Sequence, residues 1–135
     1  MSQSIIYLVN SSTQEVSDNG IINPGTIVRK YGQNLNLSGN GIQVAGSGYY
    51  DITASFTIVP TETGEVTVTL LKDGVAVPGA TATETAAAAG DYVNLSVIGI
   101  VRESCYCCDG MSSLTFLLTG IDSSVVNSAI KGEKL

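Results

Sequence analysis

Hydrophobic and polar residues alternate along most of the chain, which is the pattern of β-strands that are buried on one face only. The clearest case is residues 50–59, where Ile52, Ala54, Phe56 and Ile58 share one face and polar side chains share the other. This segment predicts a strand with one face in a core and one in solvent. Shorter segments of the same type predict further strands at residues 5–9, 13–16, 26–31, 35–37, 42–44, 66–70, 75–77, 92–101, 114–118 and 125–130.

Turn signals separate these segments. Lys72-Asp73-Gly74 predicts a tight hairpin, because Asp-Gly suits the positive φ angles of such a turn. Pro78-Gly79 predicts the end of the returning arm, and the Ala-rich residues 85–90 are too few for a stable helix and predict a loop. About ten short strands without helices predict an all-β sandwich or barrel. No linker or change in composition divides the chain, so residues 1–135 are expected to form a single domain.

Two strands in the second half are apolar on both faces. In residues 92–101, the face opposite the core side begins polar and then carries Ile98 and Ile100, and Leu117 interrupts the polar side of residues 114–118. A strand that is apolar on both faces must be covered on both. Because no helix is predicted, another subunit is the natural cover. The predicted subunit interface contains Ile98, Ile100, Leu117 and Tyr92.

Composition supports this prediction and excludes several partners. Hydrophobic residues make up 44% of the chain and charged residues only 13%, against about 25% in a typical soluble domain. The net charge of −6, with only six basic residues, argues against nucleic acid and against an anionic membrane surface. No apolar segment approaches the roughly 20 residues of a membrane-spanning helix. Membrane insertion is therefore not expected.

The sequence contains few residues and motifs that are typical of catalytic sites. It contains no histidine, which removes the usual general base, the Ser-His and Cys-His nucleophile pairs and the commonest metal ligand. No phosphate-binding loop or nucleophile-elbow motif is present. We therefore expect a protein that is not an enzyme and that holds no cofactor. The two carboxylates of a glycosidase can be distant in sequence and close in space, so the hypothesis of such a site stays open.

The segment that contains Cys105, Cys107 and Cys108 is the one unusual motif. It fits a loop of reduced thiols between two strands. It also fits a thiolate metal site for zinc or an iron–sulfur cluster, if the loops of several subunits converge near a symmetry axis. A third interpretation is disulfide formation, within one subunit or between subunits, where an odd number of cysteines leaves an unpaired or intermolecular thiol.

Three segments in order resemble a known family. They are Gly48-Tyr49-Tyr50-Asp51-Ile52, the hairpin of residues 66–77, and Gly90-Asp91-Tyr92-Val93-Asn94-Leu95, with residues 114–120 in the place of a later strand. Together they resemble the globular head of complement component q and the tumour-necrosis-factor-like jelly rolls. The resemblance covers roughly residues 42–120 and implies a jelly-roll β-sandwich that forms a homotrimer around an apolar axis. The absence of a collagen-like stalk and of a secretion signal favours the bacterial and bacteriophage versions of the family.

The resemblance implies a trimeric virion-associated protein, either a capsid decoration or a head-fibre domain, that is made in the bacterial cytoplasm of the host. Its partners would be two further copies and a capsid or particle surface protein. One alternative is a carbohydrate- or receptor-binding tip that contacts a host-surface glycan through loops 81–90 and 105–112, where tyrosines could stack on sugars. Another is an assembly protein of a bacterial cell or spore surface. The tyrosines considered for stacking are Tyr49, Tyr50, Tyr92 and Tyr106, and no ligand-binding residue is assigned.

Overall fold

The computed structural model describes residues 3–103 and 111–135. Within these residues the chain forms twelve strands and no helix; eleven of the strands overlap the predicted segments, and β3 was not predicted. The strands are β1 (Ile5–Asn10), β2 (Gln14–Val16), β3 (Gly20–Ile21), β4 (Thr26–Tyr31), β5 (Leu35–Ser38), β6 (Gly41–Ala45), β7 (Gly48–Pro60), β8 (Gly64–Lys72), β9 (Val75–Ala86), β10 (Val93–Glu103), β11 (Met111–Thr119) and β12 (Ser123–Lys134).

The strands form two antiparallel sheets. The first sheet has the order β10-β7-β12-β1-β4, with β2 also paired to β12. The second sheet has the order β5-β6-β11-β8-β9, with β3 also paired to β11. The chain crosses between the sheets repeatedly, so that neighbouring strands are distant in sequence, as in a jelly-roll sandwich. This confirms the predicted fold class.

The core lies between the two sheets, where their inward faces meet. Ile52, Ala54, Phe56 and Ile58 of β7 are all buried, as their alternation predicts. Phe56 meets Phe116 of β11 edge to face, with ring centroids 5.2 Å apart and planes at 63°. This contact joins the central part of the first sheet to the central part of the second, in the geometry that aromatic pairs prefer.

The prediction for Pro78-Gly79 is wrong, because β9 continues through both residues to Ala86. The pairing partner of Thr69 is Thr81, whereas that of Leu71 is Ala76, so the chain between them forms a bulge opposite Leu70. Strand β9 is an edge strand. A proline is tolerated there because a bulged residue on an edge has no ladder hydrogen bond to lose.

The Ala-rich segment forms no helix, as predicted. Strand β9 ends at Ala86, and the following residues turn back toward β10. The Asp91 carboxylate accepts a hydrogen bond from the backbone N–H of Ala88 at 3.1 Å, and the N–H of Asp91 donates to the carbonyl of Ala88 at 3.2 Å. The loop that joins β9 to β10 is therefore residues 87–92, displaced by two residues from the predicted 85–90. Among the described residues, no helix has the length and apolarity to cross a membrane.

Candidate interaction surface

The outer face of the first sheet carries six of the large apolar side chains that are exposed in the described residues. Alternation along β10 buries Val97 and Val101 and turns Ile98 and Ile100 outward, where they are 66% and 53% exposed. Other large side chains accompany them on this face, namely Ile5 and Tyr7 of β1, Tyr31 of β4 and Tyr49 of β7. An exposed face with this many large apolar groups is typical of an interaction surface.

The pairing registers place these groups in rows across the sheet. One row, which we call the carboxylate row, runs Tyr31, Ile5, Glu133, Asp51 and Ile100 from β4 to β10. A neighbouring row runs Arg29, Tyr7, Lys131, Thr53 and Ile98 over the same five strands. Side chains directly opposite each other on paired strands lie about 5 Å apart at Cβ. In the carboxylate row, apolar groups therefore occupy both margins and carboxylates the centre, whereas in the neighbouring row Arg29 stands at one margin and Lys131 near the centre.

The four residues predicted for the subunit interface are not all brought together. Ile98 and Ile100 share the outer face of the first sheet, but Leu117 lies half-buried on the outer face of the second sheet, paired with Ile21 and Thr69. Tyr92 precedes β10 at one end of the sandwich and is 70% exposed. The structure therefore separates Leu117 from the two isoleucines, and the role of all four in an interface stays a prediction.

A groove of about 410 Å³ lies beside Ile100, where the edges of the two sheets meet. It is formed by the β8–β9 hairpin on one side and by the end of β10 on the other, with exposed Val75 and the guanidinium of Arg102 at its margin. Arg102 also lies over the ring of Tyr49, 5.9 Å from its centroid, within the range of a cation–π contact. The groove thus continues the apolar margin of the first sheet around its β10 edge.

The two ends of the sandwich differ in what they carry. The first and last described residues lie near one of them, which we call the terminal pole: the N–H of Lys134 donates to the carbonyl of Ser4 at 2.9 Å, and that of Leu135 donates to the carbonyl of Tyr49 at 2.9 Å. At the other end, the distal pole, β10 begins beside the end of β7. Eleven residues of β10 span roughly 35 Å at ~3.3 Å per residue.

The structure corrects the bounds of the first loop of the predicted tip site. Residues 81–86 belong to β9, and residues 87–92 form a loop at the distal pole. Glu103 and Met111, which flank the second predicted loop, pair with Gly48 and Ala45 at the terminal pole. Residues 104–110 of the second predicted loop lie outside the described residues, so a binding site shared by the two loops stays a prediction.

Charge is distributed unevenly between the two poles. Seven acidic residues lie in the distal half, and no described lysine or arginine lies there. The basic residues nearest to the distal half are Arg29 and Lys131, which lie in the row of Thr53 near the middle of the sheet. All six basic residues of the chain lie from that row toward the terminal pole. The distal acidic residues are Glu15, Asp18, Glu62, Glu65, Glu84, Asp91 and Asp122.

Several of these carboxylates stabilise turns. Asp18 accepts from the N–H of Gly120 at 2.7 Å, and Asp122 accepts from the N–H of Asp18 at 2.8 Å. At the terminal pole, Asp73 of the hairpin accepts from the N–H of Ser113 at 2.9 Å. Hydrogen bonds of this type satisfy backbone donors that a turn leaves unpaired. These acidic groups therefore have a structural role that the sequence alone did not indicate.

Cys105, Cys107 and Cys108 lie outside the described residues, as does Tyr106. In the described residues that flank them, the Ser112 hydroxyl donates to the buried Glu103 carboxylate. No group of three or more potential metal ligands occurs in the described part of the chain. The metal, disulfide and free-thiol hypotheses for the cysteines all stay open.

The tyrosines proposed for sugar stacking divide into different environments. Tyr50 is fully buried, with its hydroxyl within 2.7 Å of the carbonyl oxygen of Gly46 and 3.1 Å of that of Ala45, so it belongs to the core. Tyr49 and Tyr92 are exposed, at the terminal and distal poles respectively. Of these three, only Tyr92 therefore lies at the distal pole.

Sequence reasoning missed the apolar groups on β1 and β4. Ile5, Tyr7 and Tyr31 face outward, opposite the buried Ile6 and Leu8. The signal was available in the run Ile-Ile-Tyr-Leu-Val at residues 5–9, which is apolar on both faces of a strand in the same way as Ile98 and Ile100.

Comparison with known proteins gives matches in structure and none in sequence. No protein-family model matches the chain, and no curated protein matches it either. Murine APRIL at pH 5.0 is similar to this chain with a TM-score of 0.74 and 13% identity, over 99% of this chain and 100% of that chain. The vertex protein P5 of PRD1 is similar with a TM-score of 0.62 and 18% identity, over 98% and 96%.

The globular domain of the zebrafish complement 1qA protein is also similar, with a TM-score of 0.69 and 7% identity, over 95% of this chain and 94% of that chain. At these identities the similarity establishes the fold. It confirms the resemblance predicted from residues 42–120 and extends it to nearly the whole described chain. The protein therefore has the jelly-roll fold that tumour-necrosis-factor-like proteins, complement 1q globular domains and the phage vertex protein share.

Proposed function

We propose that the protein is a non-catalytic homotrimeric structural module of a virion, either a capsid decoration or a head-fibre domain. The observation that carries this proposal is the outer face of the first sheet, where Ile98 and Ile100 stand exposed beside Tyr7, Tyr31 and Ile5. Left in water, such a face lowers solubility, whereas covering it with further copies contributes roughly 25 cal/mol per Å² of apolar surface. The similarity to the PRD1 vertex protein supports the phage setting.

The two poles give this trimer a direction. The first and last described residues lie near the terminal pole, and this pole would attach to a capsid or particle surface protein. The distal pole, with the loop of residues 87–92, would face away from the particle. Attachment would then place the protein on the virion, with synthesis in the bacterial cytoplasm of the host.

The solution mass of the protein tests the trimer. Light scattering should give three times 13.9 kDa, with and without reductant. The double variant Ile98→Thr/Ile100→Thr should dissociate at micromolar concentration, because it removes the two large apolar groups of β10 from the surface that association would bury. Leu117→Thr is the matched change on the other sheet. A monomeric wild type would overturn the proposal, and dissociation by Leu117→Thr alone would move the interface to the second sheet.

A carbohydrate-binding tip is a second candidate, and the distal pole supplies the observation that favours it. A concavity of about 430 Å³ there is lined by Glu84, Asp91, Asn94 and the exposed Tyr92, among others. An aromatic ring beside carboxylate and amide groups suits the apolar face and the hydroxyls of a sugar. On a glycan array, the wild type should bind and Tyr92→Ala should lose binding at least about tenfold, whereas Tyr49→Ala at the other pole should not. Absence of binding by the wild type would contradict this candidate.

A further inference from the structure

The carboxylate row contains an unfavourable pair of charges. Glu133 of β12 and Asp51 of β7 are direct cross-strand partners on the outer face of the first sheet. Like charges in such positions repel each other, because their Cβ atoms lie only about 5 Å apart. No described lysine or arginine forms an ion pair with either carboxylate, although Lys131 stands one row away on the same face.

The surroundings make this pair more costly in an assembly. Ile5 flanks Glu133, and Ile100 flanks Asp51, in the same row. A second copy that covers these apolar groups must also remove both carboxylates from water. Two like charges that lose their water without a counter-charge would oppose association strongly. Lys131 can balance only one of the two charges, so a cation from the covering copy would stabilise an interface on this face.

The same face offers that cation at both edges. Strand β4 carries Arg29 and strand β10 carries Arg102, and these are the two edge strands of the sheet. The Arg29 guanidinium donates within its own chain only to the neighbouring carbonyl of Val28, at 3.1 Å. Arg102 contacts the Tyr49 ring, which leaves its N–H groups available for hydrogen bonds. The carboxylate row is thus negative at its centre, and each edge strand of the sheet carries an arginine.

This distribution fits a cyclic assembly. In a ring of three copies the contact is heterologous, so that one part of the surface meets a different part of the next copy. We propose that the Asp51–Glu133 pair binds the guanidinium of an edge-strand arginine from a second copy, and that this contact fixes the register of the subunits. The inference rests on the proposed homotrimer and identifies the charged groups that specify it.

Neutral variants test the inference through two effects of opposite sign. Asp51→Asn and Glu133→Gln should each weaken trimer formation by about tenfold or more, because the arginine loses a buried partner. In the monomeric background of Ile98→Thr/Ile100→Thr, the same changes should instead raise the melting temperature by about 1–4 °C, because the repulsion is relieved. Glu62→Gln and Glu84→Gln, in the distal half, are the matched controls. They should neither weaken the trimer nor raise the melting temperature of the monomeric background.

A double-mutant cycle then identifies the arginine. Arg29→Gln or Arg102→Gln should weaken the trimer as much as Asp51→Asn does, and the combined variant should add little to either change alone. Strong coupling to one arginine supports the inference and identifies which edge strand makes the contact. A wild-type trimer that tolerates both neutral carboxylate variants, or that couples to neither arginine, would overturn it. A monomeric wild type would instead contradict the proposed function itself, so the two failures are distinguishable.

Discussion

Tyr50 combines a fully buried ring with a hydroxyl that reaches backbone carbonyls at the terminal pole. Burial raises the pKa of this phenol above its ordinary value of 10.0, and the nearby negative charge of Glu103 raises it further, while a hydrogen bond with Asn34 acts in the opposite direction. Asn34 itself links Ala45 and Ser4, at 2.7 and 2.8 Å. The neutral phenol is therefore part of a hydrogen-bonded cluster that depends on its proton.

Alkaline pH should consequently destabilise the folded protein. Below pH 10 both the folded and the unfolded chain keep the Tyr50 proton, so its contribution is constant. Above pH 10 the unfolded chain loses the proton first, and the free energy of unfolding falls with pH by at most about 1.4 kcal/mol per pH unit for this group. Urea unfolding at pH 9 and pH 11 measures the fall. Tyr50→Phe should reduce it and the exposed Tyr92→Phe should not; an unchanged fall in Tyr50→Phe would contradict this assignment.

At the scale of elements, the bulge in β9 closes one edge of the sandwich. It brings Ala80 against Gly99 of β10, so closely that a Cβ atom added at Gly99 would lie 2.9 Å from the Ala80 Cβ and 3.6 Å from a methyl of Val77. The absence of a side chain at Gly99 therefore allows the edge of the second sheet to approach the edge of the first. Glycine is required there by close approach.

Gly99→Ala should destabilise the protein by about 1–3 kcal/mol, the usual cost of overpacking a core. Thermal or urea unfolding measures this loss. Ala80→Gly removes the atom that the new methyl group would strike, so the double variant should lose less stability than the sum of the two single changes. Strict additivity would show that the two residues do not share this contact.

These elements also show what sequence can and cannot predict. Alternation along residues 50–59 was sufficient to predict β7, because the hydrophobic pattern of a strand buried on one face has a period of two whatever its neighbouring strands are. The bulge at Pro78-Gly79 was not predictable, because proline and glycine end a central strand but are accommodated on an edge, and strand order is absent from local patterning. The same lack of strand order allowed Leu117 to be grouped with Ile98, although they lie on opposite sheets.

At the scale of the whole molecule, surface charge was predictable in amount but not in place. The net charge of −6 is evident from composition, yet the concentration of seven carboxylates in the distal half depends on which turns meet there. In a trimer these groups would form a strongly negative pole. Contact between two distal poles would be repulsive over the Debye length of about 8 Å at physiological ionic strength, which disfavours end-to-end stacking of particles through this pole.

The placement of the first and last described residues near the terminal pole has a practical consequence for protein engineering. An affinity tag or a fluorescent protein fused to either end would emerge on the same side and leave the distal pole unobstructed. Peptides meant for the opposite side would instead be inserted near Gly90, where an added side chain would meet no atom within 4 Å. A trimer carrying both kinds of addition would present two chemically independent faces, with three copies of cargo on one and three copies of an epitope on the other.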